Sequence, residues 1–252
     1  MSARVVCWFS CGVTSAVAAK LALEQFSSQH EVRVAYCETH SEHEDNARFL
    51  TDCEDWLGVS IERLESPDYK DVWDVWDRTG WLVGPQGARC TIELKKRVRM
   101  SYQRADDIQV FGFDASEKDR AARFRRTNHE IDLRTPLIDR NFYKRDCVER
   151  LRAAGIRTPA IYDMGYRNAN CIGCVKGQQG YWNKIRVDFP DVFDRMAAME
   201  RKLDVAINKT YAGTGKRQRV FLDELDPSAG QYEAEPAFDC GLLCADGTGE
   251  EE

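Results

Sequence analysis

The chain has 252 residues, 36 of them basic and 42 acidic, for a net charge of −6, with 43% hydrophobic and 31% charged residues. This is the composition of one large globular domain, or a domain with an appendage, able to bury a substantial core. It argues against broad coating of nucleic acid, and no apolar run approaches the roughly 18 residues of a membrane span. The N-terminus MSARVVCWF lacks the long apolar core of a secretion signal. A cytoplasmic location is expected, with the ten cysteines as free thiols plus a metal or redox site rather than a disulfide scaffold.

In chain order, residues 4–9 (RVVCWF) read as a buried strand feeding a turn, and VTSAVAAKLALEQF has helical spacing and good helix formers. A second strand is expected at 32–37, a helix across 45–58 closed by Gly58, and a third strand at 60–64. Residues 67–87, with three tryptophans, break this rhythm and are expected to form an irregular lobe or lid. A strand at 108–113, a helix ending at Gly155 and a helix across 188–209 complete the alternation. Strands alternating with helices predict an α/β fold, doubly wound around a mainly parallel sheet. The domain is expected to span 1–209, followed by an extended tail over 210–252.

Ser10, Cys11, Gly12, Val13, Thr14 and Ser15 lie where the first strand turns into the first helix. N–H groups at a helix start attract phosphate or sulfate, hydroxyls add donors, and Gly12 lets the backbone approach the anion. No Gly-Lys-Ser/Thr follows, so the loop is not a Walker A motif, and one glycine does not make a dinucleotide fingerprint. An ordinary capped helix start is the structural alternative. Cys171 and Cys174, in YRNANCIGCVKG, direct two thiols at one point, which suits a metal, an iron–sulfur cluster or a redox disulfide. Cys90 stands far upstream in GARCTIELKKR. Cys7, Cys37, Cys53 and Cys147 fall within predicted elements and read as small core residues. His40 and His43 read as part of a polar loop rather than a metal site. The runs LKKRVRMSYQR, RAARFRR and GKRQR are local nucleic-acid contacts or solvated helix faces.

The 10–15 loop resembles the altered PP-loop of the adenine nucleotide alpha-hydrolase superfamily, and within it the phosphoadenosine phosphosulfate (PAPS) reductase family. The usual pattern there is Ser-Gly-Gly-x-Asp-Ser; here Cys11 replaces the first glycine and Thr14 the aspartate. That change weakens ATP pyrophosphatase chemistry and leaves anion binding intact. YCETHSEHEDNARF, GFDASEKDRAARF, TPLIDRNFYKRDCVERLRAAGI and TPAIYDMGYRNANCIGC resemble later motifs of the family in the same order. The resemblance implies that Thr39, Glu117, Arg120 and Arg123 lie at an adenine nucleotide (PAPS, APS or ATP), and that TPL begins a strand.

The resemblance also implies that Cys90, Cys171 and Cys174 hold an iron–sulfur cluster, 4Fe–4S with three cysteine ligands; zinc is the alternative metal. The family's upstream Cys-Cys pair is Cys90 and Thr91 here, so one ligand is missing, to be supplied by Cys240, Cys244 or an external group, or left open. The tail DCGLLC resembles the Glu-Cys-Gly-Leu-His tail whose cysteine attacks the sulfate sulfur, which makes Cys240 the expected nucleophile. The implied activity is reduction of an activated sulfate nucleotide to sulfite, with a thiol donor such as thioredoxin or glutaredoxin, in a homo-oligomer without membrane contact. The rival is an iron–sulfur-dependent sulfurtransferase or desulfurase acting on a nucleobase of tRNA or DNA with ATP activation. A nucleotide- or metal-sensing partner protein without turnover is the third reading.

Overall fold

Uninterrupted apolar runs have no wet face, so a sheet built from them must be covered on both sides. In the computed structural model, which describes residues 3–84, 87–211 and 217–238, one such run, VVCWF, lies at the centre of five strands that pair in parallel. They are β1 (Val5–Phe9), β2 (Val32–Cys37), β3 (Ile61–Leu64), β4 (Ile108–Phe111) and β5 (Asp132–Arg134), in the order β3-β2-β1-β4-β5. The longer helices are α1 (Val13–Phe26), α2 (Asn46–Leu57), α3 (Val72–Thr79), α4 (Arg97–Tyr102), α5 (Lys118–Thr127), α6 (Lys144–Ala153), α7 (Gln179–Asp188) and α8 (Pro190–Leu203). None of the helices among the described residues is long and apolar enough to cross a membrane.

The described residues divide into two compact units. The first comprises residues up to 38, 43–66 and 95–169; the second comprises 39–42, 67–94 and 170 onward. The Trp-rich segment, the cysteine turn and the C-terminal region fall in one unit.

In the first unit, β1 is central, with Val5 opposite Val32 on one side and Ile108 on the other. Strand order reverses between β1 and β4, so the crevice of a doubly wound sheet opens beyond their C-terminal ends. Alternation along β1 sends Cys7 and Phe9 into a core with α1, α2, Cys147 and Leu151. Trp8 goes to the opposite face, where it stacks on Phe111 at 6.5 Å and meets the edge of Tyr102 at 5.9 Å. Cys7, Cys37, Cys53 and Cys147 are buried core residues as expected, and burial pushes the thiols of Cys53 and Cys147 up to about 12.

Three expectations need correction. The 67–87 segment is not wholly irregular: Asp71 accepts the N–H of Asp74 at 2.8 Å, capping α3, which buries Val72, Trp73, Val75 and Trp76. The strand expected at TPL lies earlier, at β5, and Pro136–Asp139 is a helical turn because proline suits the first helical position. Finally, α8 stops at Leu203, where Asp204 turns left-handed at φ 52°, and Asn208–Tyr211 instead pairs antiparallel with Arg217–Val220.

Two buried charges organise these units. Arg4 reaches Asp107 through Nε at 2.9 Å and Nη2 at 2.7 Å, with the carboxylate fully buried, which holds the β1 and β4 entries together. Asp107→Asn should destabilise the protein by about 3–5 kcal/mol, read from urea unfolding, because it leaves the Arg4 charge buried and uncompensated. In the second unit, Glu200 accepts the N–H groups of Ile207 and Leu222, each at 2.6 Å, and burial raises its pKa to about 7. A folded-state pKa above the unfolded value of the carboxyl means that this group's contribution is fully present below that value and is lost as pH rises through about 7. Thermal stability should therefore fall between pH 5 and 8 in the natural protein, and fall less in Glu200→Gln.

Candidate functional site

The turn from β1 into α1 is built by one hydroxyl. Ser15 Oγ donates to Gly12 O at 2.8 Å and accepts from Ser10 N at 3.1 Å and from Ser10 Oγ at 3.2 Å. The Ser10 and Ser15 hydroxyls are thereby spent inside the loop. Cys11, at the position where the PP-loop pattern has glycine, takes a left-handed φ of 53° with its side chain fully buried. Such a backbone costs a non-glycine residue about 1–2 kcal/mol. Cys11 and Val13 face the core, so only their main chain can meet a ligand. No side chain caps Gly12 and the first turn of α1 carries no acid. Its N–H groups are the donors an oxyanion would meet, with the partial positive charge of a 14-residue helix behind them.

Beyond β4, Gly112 sets how close this turn can come. A Cβ there would lie 2.8 Å from both the N and the Cα of Ser15. The residues that follow form a capping box: Asp114 accepts Ser116 N at 2.8 Å and Glu117 accepts Asp114 N at 3.2 Å. Glu117 also pairs with Arg120 at 2.5 Å, and the Arg120 guanidinium lies over the Phe113 ring at 5.3 Å. Arg123 is exposed on α5. Glu117 is thus committed to its own helix start, with Arg120 held against it. Near Gly12 stands a residue the motifs did not single out: the Tyr162 hydroxyl would lie 3.6 Å from a Cβ at that glycine. Lys144 Nζ sits 4.7 Å over the Tyr162 ring and also bonds Arg167 O and Asn168 Oδ1.

The second unit carries the cysteines. Cys90, Cys171 and Cys174 are all buried, and Thr39, expected at the nucleotide, places its hydroxyl 3.2 Å from Cys171 Sγ. The 171–174 turn closes around Tyr181, whose oxygen accepts the N–H groups of Gly173 and Cys174 at 3.0 Å each. Burial holds that phenol well above its ordinary pKa, in its neutral form. Gly177 permits the approach, since a Cβ there would fall 1.9 Å from Tyr181 Cδ1. Cys90 belongs to a separate helical turn, Arg89–Thr91. Among the described residues, no group of three or more His, Cys, Asp or Glu side chains is arranged to hold a metal ion.

The same turn anchors the end of the described chain. Glu235 accepts Gly180 N and Tyr181 N, capping α7, which has no cap of its own from Gln178. Phe238 packs edge-on against Tyr181 at 5.1 Å, and its carbonyl accepts from Asn170 Nδ2 at 3.3 Å. Cys240 and Cys244 lie outside the described residues. The roles of Tyr181, Glu235 and Asn170 have no motif behind them in the sequence; each depends on a partner 7 to 68 positions away.

Gly112→Ala tests how the loop is positioned. The added methyl must displace backbone rather than a side-chain tip, so the variant should lose about 1–3 kcal/mol in thermal or urea unfolding and weaken oxyanion binding together with it.

No protein-family model matches the chain, and no curated protein matches it. Among solved structures the chain is similar to the phosphoadenylyl-sulfate (PAPS) reductase from Candida auris in its phosphate complex, at 10% identity, over 68% of this chain and 82% of that one, with a TM-score of 0.47. It is also similar to the U34-tRNA thiolase NcsA from Methanococcus maripaludis with its 4Fe–4S cluster, at 10% identity, over 81% of this chain and 72% of that one, with a TM-score of 0.39. Both are distant likenesses and carry no argument for one activity over the other.

Proposed function

We propose that the chain is a thiol-dependent oxidoreductase that reduces an activated sulfate nucleotide, PAPS or APS, to sulfite. The observation that supports this most is the anchoring of residues 232–238 around Tyr181, which holds the chain as far as Phe238. Cys240 follows Phe238 by two positions. Within the first unit, the uncapped start of α1 is read as a seat for the nucleotide phosphates at the 10–15 loop, with Arg120 and Arg123 as further cations.

In this reading the Cys240 thiolate attacks the sulfate sulfur. A sulfur–sulfur bond forms, the bond from sulfur to the bridging phosphate oxygen breaks, and the nucleotide leaves with that electron pair. A thiol donor of the thioredoxin or glutaredoxin class then attacks Cys240 Sγ. Sulfite departs and a mixed disulfide remains for a second thiol to resolve, so the donor dithiol is oxidised as sulfur is reduced. Cys90, Cys171 and Cys174 have the soft donor atoms that iron–sulfur clusters and zinc require. The described residues do not gather three of them into a metal-holding group, so no step is assigned to a metal.

The sulfur-transfer reading, on a tRNA or DNA nucleobase with ATP, has one observation in its favour: three buried thiols in a single unit with no fourth beside them in the sequence motif.

Incubation with PAPS or APS without a thiol donor should add one sulfonate mass at Cys240, seen by peptide mass spectrometry. Cys240→Ser should lower sulfite release by more than about 10³-fold, since a hydroxyl is a far weaker nucleophile. Gly12 has φ −102° and room for a Cβ, so Gly12→Val should fold yet weaken nucleotide binding by about tenfold, or about 1.4 kcal/mol. Sulfite release that persists in Cys240→Ser would refute the reductase reading. Loss of iron or zinc in that variant would move Cys240 to the metal and favour sulfur transfer.

A further inference from the structure

Independently of the reductase reading, one buried cation in the first unit has no counterpart. Arg99, on α4, is only 6% exposed, and its Nε and Nη1 have no hydrogen-bond partner. Arg4 shows how this chain treats a buried guanidinium it needs for stability: two bonds to a buried carboxylate and one to Tyr102 O. Arg99 has none of these. Its ring neighbour is Phe124 at 5.9 Å, and the groups that influence its charge, Cys37 and Glu130, form no ion pair with it.

Guanidinium cannot shed its proton in a protein, so burial of Arg99 cannot be relieved by neutralisation. Desolvation is the largest influence on it and disfavours the charge it must carry. The polar groups packed on the same sheet face are satisfied by one another: Trp8 Nε1 donates to Gln109 Oε1 and Gln109 Nε2 donates to Gln103 Oε1, both at 3.0 Å. Lys95, four residues earlier in the basic run, is buried as well at 6% exposure. A run that reads in the sequence as a solvated helix face therefore turns two of its cations inward. Lys95 lies where the backbone leaves the α-helical ladder for a wider turn, Ile92–Lys96, which leads directly into the helix of Arg99, a feature frequent at functional sites.

We infer that Arg99 is the core of a second oxyanion site, on the sheet face opposite α1, which takes a tetrahedral anion of the phosphate or sulfate class. Planar N–H donors match such oxygens, and a desolvated surrounding of aromatic rings strengthens the attraction. The guanidinium charge itself repels divalent cations, so the site is not a metal site.

Calorimetric titration with sodium sulfate at constant ionic strength, on the natural protein, Gly12→Val, Arg99→Met and the double variant, tests this. Gly12→Val should keep one sulfate site, and the double variant should lose it, with at least tenfold weaker binding. In buffer free of oxyanions, Arg99→Met should unfold at the same temperature as the natural protein or higher, because it removes an uncompensated charge, whereas a structural arginine would lower it. If Arg99→Met does not fold, Arg99→Lys keeps the charge, lacks the planar fork, and should weaken sulfate at least tenfold. Equal sulfate binding by Gly12→Val and the double variant, or by the natural protein and Arg99→Lys, would overturn the assignment. Sulfate binding unaffected by Gly12→Val but abolished by Arg99→Met would leave this site standing and remove the loop from the proposed function instead.

Discussion

The approach of Gly112 to the first turn of α1 is the constraint on which the rest of the first unit depends. β1 and β4 are neighbours in the sheet, yet each continues into a different helix, and the two departures must share one edge. Only a residue without a side chain fits there, since a Cβ at Gly112 would fall 2.8 Å from the N and Cα of Ser15, where the first departure turns. The Ser15 hydroxyl then ties the turn to itself from inside, using donors that would otherwise serve a ligand. What the loop offers outward is therefore main chain: a row of N–H groups at a helix start with no acid or cap to compete.

The second unit solves a comparable problem with a phenol. A Cys-x-x-Cys turn exposes N–H groups that need acceptors, and Tyr181 supplies one oxygen to two of them. Its ring in turn is the surface on which Tyr232 and Phe238 pack. The order around the cysteines and the path of the chain toward the tail are thus parts of one arrangement. Glu235 adds a charge-assisted cap at the α7 start, so the C-terminal region is held by main-chain hydrogen bonds as well as by rings.

Charge inside this protein divides into two kinds. Arg4 and Asp107 compensate each other, and Glu200 is answered by two N–H groups that hold the C-terminal hairpin region to α8. Arg99 is not answered. Burying an ion without a partner is among the most unfavourable arrangements available to a folded chain. The contrast between Arg4 and Arg99 within one unit is what gives the second its functional meaning.

The sequence alone determined the α/β class and most of the sheet. The runs that became β1 and β2, the helix over residues 13–26 and the Gly58 and Gly155 stops are local matters of apolar period and left-handed glycine, readable without a partner. The 10–15 loop was legible for the same reason, since a strand-to-helix turn with glycine announces itself locally. Tertiary structure decided what those residues do with their atoms. That the Ser15 hydroxyl bonds within its own loop, that Glu117 closes the turn begun by Asp114, and that Thr39 lies beside Cys171 all turn on partners that spacing does not encode. The basic run at 95–99 shows the limit most clearly: solvated and buried cations are written in the same letters, and only packing against the sheet separates Arg99 from an ordinary surface charge.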